Sequence, residues 1–145
     1  MKLNFLKLSI GIIIATIVSG CGGGDSQQLN KKIDAIYLTD LPSGYQLNGF
    51  VEDGQKAGED VKLIFCPNYR YTYYRGDEIF NGDYEIKTQR DEVVMIDDSD
   101  GGSYALKAKN GMFEVGEAYK CRDLTPLTTG VVIEEIFPHS CPNNQ

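Results

Sequence analysis

Short runs of alternating apolar and polar residues, each ended by a glycine-containing turn, restrict this chain more than any other feature. Val61, Leu63 and Phe65 alternate with Lys62 and Ile64, and Tyr69, Tyr71 and Tyr73 alternate with Arg70 and Thr72. The same pattern recurs in Tyr84-Glu85-Ile86-Lys87 and in Tyr104 to Ala108. A period of two, rich in Tyr, Val and Ile, marks half-buried strands. Between the runs stand Ser43-Gly44, Asp53-Gly54, Arg75-Gly76-Asp77, Asn81-Gly82, Asp100-Gly101-Gly102 and Asn110-Gly111. Asn-Gly and Asp-Gly favour the positive backbone dihedrals of tight hairpins, so consecutive strands should be antiparallel neighbours. Candidate strands are Tyr45–Val51, Val61–Cys66, Tyr69–Tyr74, Tyr84–Thr88, Glu92–Asp97, Ser103–Ala108, Met112–Val115, Ala118–Cys121 and Gly130–Phe137. Only Leu29–Leu38 could open as a short helix, and Ile36–Leu38 would equally begin a strand. The expected fold is all-β, a small antiparallel meander of about eight strands closed into a barrel or stacked as a sandwich.

The first twenty residues read differently. Lys2 and Lys7 precede an apolar run from Leu8 to Val18, and small residues follow. This is the layout of a secretory signal peptide, and the run falls short of the roughly 18 to 20 residues a spanning helix needs. At its end Val18-Ser19-Gly20-Cys21 resembles the lipobox of bacterial lipoproteins, an aliphatic residue and two small ones before a cysteine. The resemblance implies cleavage after Gly20, diacylglycerol on the Cys21 thiol and an acyl chain, palmitate-like, on the freed amine. Two or three such chains anchor a protein stably where one is marginal, because each buried methylene contributes about 0.8 kcal/mol. The alternative is an ordinary secretory signal with Cys21 left as a thiol or in a disulfide. Gly22 to Gln28 reads as a flexible tether. The expected layout is therefore a signal peptide over 1–20, a lipidated glycine-rich tether over 21–32 and a single β domain over 33–145. Gly22 stands where an aspartate would hold a Gram-negative lipoprotein at the inner membrane, so the resemblance implies the outer membrane. The domain would then face the periplasm or the cell exterior; in a Gram-positive source the anchor would mean the outer face of the cell membrane.

Charge narrows the partners. The chain carries 14 Lys and Arg against 21 Asp and Glu, a net −7 at a pI near 4.6, and removal of Met1–Gly20 takes two lysines and no acid, giving −9. Nucleic acid is excluded as a partner, since a polyanion needs a basic face. A basic protein, cations or plain solubility all suit an acidic surface. The residues after the tether number a little over a hundred, enough for one core.

Acylation of Cys21 would leave Cys66, Cys121 and Cys141, with room for one disulfide among three pairings. Cys121 and Cys141 sit in polar surroundings and enclose the shortest loop, so that pair is the expected one. Cys66 ends an apolar run and would suit a buried position.

The densest chemical feature is Tyr69 to Arg75, "YRYTYYR". On a strand Tyr69, Tyr71 and Tyr73 share one face and Arg70, Thr72 and Tyr74 the other. Tyr69, Arg70, Tyr71, Tyr73, Tyr74 and Arg75 therefore form a candidate contact patch for protein or glycan. The competing reading is a core row of tyrosines backed by a solvated row. Arg75-Gly76-Asp77 spells a known adhesion tripeptide, yet Gly-Asp after a strand is what a turn needs. Asp97 to Gly102, "DDSDGG", fails the helix-loop-helix calcium pattern, because position five is Gly101 and position twelve is Ala108. His139 is the sole histidine and no paired cysteine or histidine spacing accompanies it, so no metal site is expected. No nucleophile elbow is present either. The chain is expected to be no enzyme, to need no cofactor, and to bind another envelope protein while held at the membrane by its lipid. The alternative expectation is a periplasmic inhibitor or immunity lipoprotein against a lytic enzyme. Small acidic β lipoproteins of that kind include lysozyme inhibitors, although no residues here match their inhibitory loop.

Overall fold

The computed structural model describes residues 31–123 and 128–142. The signal peptide expected over 1–20, the acylated Cys21 and nearly all of the tether lie outside the described residues. One compact unit spans Lys32–Gln145. It is all-β, with strands β1 (Ala35–Tyr37), β2 (Tyr45–Val51), β3 (Asp60–Phe65), β4 (Arg70–Arg75), β5 (Glu78–Lys87), β6 (Glu92–Asp97), β7 (Ser103–Lys107), β8 (Met112–Glu114), β9 (Ala118–Asp123) and β10 (Thr128–Pro138). Eight of them close an antiparallel barrel in the order β10-β2-β3-β4-β5-β6-β7-β9, and β1 pairs with β8 in a separate two-stranded ribbon. Of the two expected architectures the chain adopts the barrel.

Alternation decides which side of the wall each residue takes. Leu47 and Val51, Val61, Leu63 and Phe65, Tyr71 and Tyr73, Tyr84, Val93 and Met95, Leu106, and Val131 and Ile133 all point inward and are almost wholly buried. They form one continuous core, so the interior is filled by side chains. Phe65 meets Tyr84 edge-on at 5.1 Å, and Tyr73 meets Tyr104 in the same way at 5.7 Å.

One end of the barrel is plugged. The chain enters through a bridge from Ile33 to Ile136, runs through β1, makes a 3-10 turn over Leu38–Ser43 and reaches β2. Ile36, Leu38 and Leu41 from this segment, with Phe113 of β8, are buried in the same core. The strand reading of the segment around Ile36 thus holds in place of the helical one, because β1 finds a partner in β8.

Two differences from the sequence reading have clear physical causes. Asn81-Gly82 is not a turn: both residues lie inside β5, where Gly82 pairs with Tyr71 and Asp97. A Cβ on Gly82 would stand 1.8 Å from the Ile96 carbonyl oxygen, so this glycine serves close approach of neighbouring strands rather than a reversal. The reversal occurs earlier, at the two-residue link Gly76-Asp77 between paired Arg75 and Glu78.

The second concerns the disulfide. Cys66 is bonded to Cys141, not Cys121 to Cys141, with Cα atoms 5.9 Å apart. Tyr45 at the start of β2 pairs with Phe65 on one side and Pro138 on the other, which brings the ends of β3 and β10 together. Cys121 faces inward from β9 and is buried. Shortest loop length was the wrong criterion, since strand register sets which cysteines meet. The bond spans 75 residues, and a link of that length stabilises a fold by about 4 kcal/mol in the chain-entropy account.

Peptide mapping of the unreduced protein should recover Cys66 linked to Cys141, and Cys66→Ala should lower unfolding free energy by about 2 to 5 kcal/mol. A linked fragment containing Cys121 would contradict this register.

Candidate functional site

The tyrosine-rich stretch is divided by the barrel wall instead of forming one surface. Tyr71 and Tyr73 are core residues, each 2% exposed. Burial raises the pKa of both phenols, and of Tyr84, well above the ordinary tyrosine range. The Tyr84 hydroxyl donates to the Cys66 carbonyl at 2.7 Å, and the Tyr73 hydroxyl is hydrogen-bonded to the Cys121 thiol. The Tyr71 hydroxyl is buried without a hydrogen-bond partner.

The other four members of the candidate patch go separate ways. Tyr69 precedes the strand in a left-handed conformation, φ 63°, and lies half-exposed against Tyr84 with ring centroids 5.4 Å apart. Arg70 points outward and bonds to Asp83 and Asp98, which holds the Asp98 carboxyl below the usual carboxylate range and raises the guanidinium. Both pairs lie at the surface, where solvent screens them. Arg75 lies over the rings of Phe80 and Tyr73, at 5.4 and 6.0 Å, and bonds to Glu78. The arginine of the Arg75-Gly76-Asp77 tripeptide is thereby committed to its own hairpin.

Tyr74 is the patch member on the outer wall beside strands β3 and β5, and it has neighbours the sequence did not single out. Lys62 on β3 pairs across the ladder with Tyr74 on β4, which pairs with Ile79 on β5. The Lys62 ammonium stands 4.9 Å from the Tyr74 ring centroid, and Ile79 is 61% exposed, the largest exposure of any big apolar residue described. Beside them runs a groove of about 460 Å³, lined by Asn48, Gly49, Asp60, Lys62, Tyr74 and Glu134 among others.

A β-bulge shapes its far side. The β10–β2 register slips between Ile133 and Glu135, so that Ile133 and Ile136 both reach the core while Glu134 and Glu135 are adjacent at the groove. Opposite them Gly49 lets β2 and β10 approach closely, for a Cβ there would meet the Val132 carbonyl oxygen at 1.8 Å. Glu135 accepts a hydrogen bond from Asn48 at 2.9 Å and is paired with Lys32 at 2.6 Å, which lower its pKa. The signal for this site was the break in alternation at Ile133-Glu134-Glu135-Ile136, two acids in succession within a strand.

Charge is also concentrated at two further places, the first of which borders the groove at Asp60 and Gly76. The loops and strand ends over 52–60, 76–78 and 97–100 follow one another at the barrel end opposite the plug and carry nine carboxylates, of which Glu78 is paired with Arg75 and Lys56, Asp98 is paired with Arg70, and Asp97 is buried. Within "DDSDGG", the hairpin between β6 and β7, the Asp97 carboxylate accepts bonds from the backbone N–H and the hydroxyl of Ser99, while Asp98 is paired with Arg70. A second cleft, about 640 Å³, is lined by Lys107, Lys109 and Lys120 together with Glu52 and Asp53. Lys109 there is occupied by Glu117 at 3.6 Å and the Tyr119 ring at 5.3 Å.

Among the described residues no three His, Cys, Asp or Glu side chains gather as they would around a metal ion. His139, whose pKa burial lowers, donates its backbone N–H to Gly44 two residues before the bonded Cys141. Compared with known proteins, the chain matches no family model, no curated protein and no solved structure. The geometry therefore carries the functional reading alone.

Tyr84→Phe should cost about 1 kcal/mol, the loss of a satisfied buried hydrogen bond, whereas Tyr71→Phe should be neutral or stabilising because its hydroxyl is already unsatisfied. Denaturant midpoints of the two variants compare these directly, and equal losses would contradict the assignment.

Proposed function

We propose that this protein is a membrane-anchored envelope lipoprotein whose β-barrel binds another envelope protein and carries out no catalysis. The lipobox ending in Cys21 supports the anchor, with acylation placing the protein at the outer membrane, or at the outer face of the cell membrane in a Gram-positive source. The observation that carries the binding role is Ile79, an isoleucine 61% exposed next to Tyr74 and the Glu134 groove. Aromatic and aliphatic side chains held on a rigid sheet are suitable anchors, since little conformational entropy is lost when they are covered. The filled interior favours an outer-wall contact over a ligand carried inside the barrel.

A second reading, a periplasmic inhibitor or immunity lipoprotein, is favoured by the nine carboxylates gathered at one barrel end. Such a rim would steer a basic lytic enzyme toward the protein at low ionic strength.

In cells, a photo-crosslinking residue in place of Ile79 should capture a discrete envelope protein, while the same residue in place of the exposed Gln89 should not. Mass spectrometry of the same material should show an acylated Cys21 at the mature N-terminus. An unmodified Cys21 would defeat the anchor, and no difference between the two crosslinking positions would defeat the contact surface. Capture of a basic lytic enzyme would select the second reading.

A further inference from the structure

We infer that the groove between Tyr74 and the β10 bulge receives an arginine or lysine side chain from an apolar segment of a basic partner protein. The inference rests on the binding-module reading and adds the chemistry of the occupant. Two carboxylates at this groove, Asp60 and Glu134, make no ion pair and no side-chain hydrogen bond among the described residues. Lys62 lines the same groove, yet its ammonium stands over the Tyr74 ring and, among the described residues, in no ion pair. The chain thus shows on itself that this ring takes a cation, and it leaves the carboxylates uncompensated.

Shape and charge agree on the occupant. The Glu59 carboxylate packs against Gly76 at the groove, the bulge brings Glu134 beside the already paired Glu135, and Ile79 extends the Tyr74 wall outward with apolar surface. A guanidinium is the best match, being planar enough to stack on an aromatic face while its edge bonds a carboxylate. An incoming arginine would displace Lys62 toward solvent, a small loss because that side chain is exposed. The flanking apolar residues of the partner would cover Ile79. A neutral or acidic occupant would leave Asp60 and Glu134 partly desolvated and unpaired, which costs binding energy.

The test uses the full isotope-labelled chain in an uncharged detergent. The probe is a capped pentapeptide, Gly-Leu-Arg-Leu-Gly, beside the same peptide with citrulline in place of arginine. Backbone resonances of Gly49, Val61, Tyr74 and Gly76 should shift with the arginine peptide, and the citrulline peptide should bind about tenfold more weakly, the worth of one charge-assisted contact. Glu134→Gln and Asp60→Asn should each weaken the arginine peptide several-fold, with thermal midpoints unchanged. Equal binding of the two peptides would overturn the inference, and so would shifts confined to the acidic loops over 52–58 and 97–100. Crosslinking from position 79 to a partner together with failure of the arginine peptide would refute the occupant's chemistry and leave the binding module standing.

Discussion

β10 pairs with β2 along one edge and with β9 along the other, and everything else in the structure depends on that double pairing. It closes the sheet, so none of the eight barrel strands is left with an open row of backbone donors and acceptors. Closure also turns simple alternation into a division between inside and outside. Each inward position must then be filled by an apolar or aromatic side chain, as Leu47, Phe65, Tyr71, Met95 and Ile133 do. The outer positions are released from packing and can carry charge or a contact surface.

The register of β10 sets two further features. Its pairing with β2 runs to Pro138 opposite Tyr45, which places Cys141 beside Cys66 and lets the disulfide tie the plugged end shut. Its slip after Ile133 brings Glu134 and Glu135 together at a groove without disturbing the core on either side. One strand therefore accounts for closure, for the covalent link and for the proposed site. The acidic loops at the opposite end add long-range attraction for a basic partner, and the groove adds a defined contact.

Much of the barrel was legible in the sequence because alternation acts locally. β2 and β6 were read with their observed bounds, and β3, β4, β7 and β9 within a few residues. The start of β5 was not, since Asn81-Gly82 has the composition of a hairpin and its actual role, close strand approach, depends on Ile96 across the sheet. The plug was half visible: Ile36 suggested a strand, but the 3-10 turn over Leu38–Ser43 reflects burial of Leu38 and Leu41 against the barrel end. The disulfide and the contact surface were hidden for the same reason. Both depend on which residues become neighbours after closure, so loop length misplaced the bond and composition overrated "YRYTYYR". Only Tyr74 of that stretch stayed at the proposed surface, joined by Lys62 and Ile79 from adjoining strands.

Amide hydrogen exchange along the β2–β10 seam tests closure most directly. A closed barrel predicts that the paired amides within Tyr45–Val51 and Val131–Phe137 exchange as slowly as those of β4 and β5, through global unfolding. Rapid exchange confined to that seam, with β4 and β5 still protected, would mean an open sheet with two edges and would contradict the account.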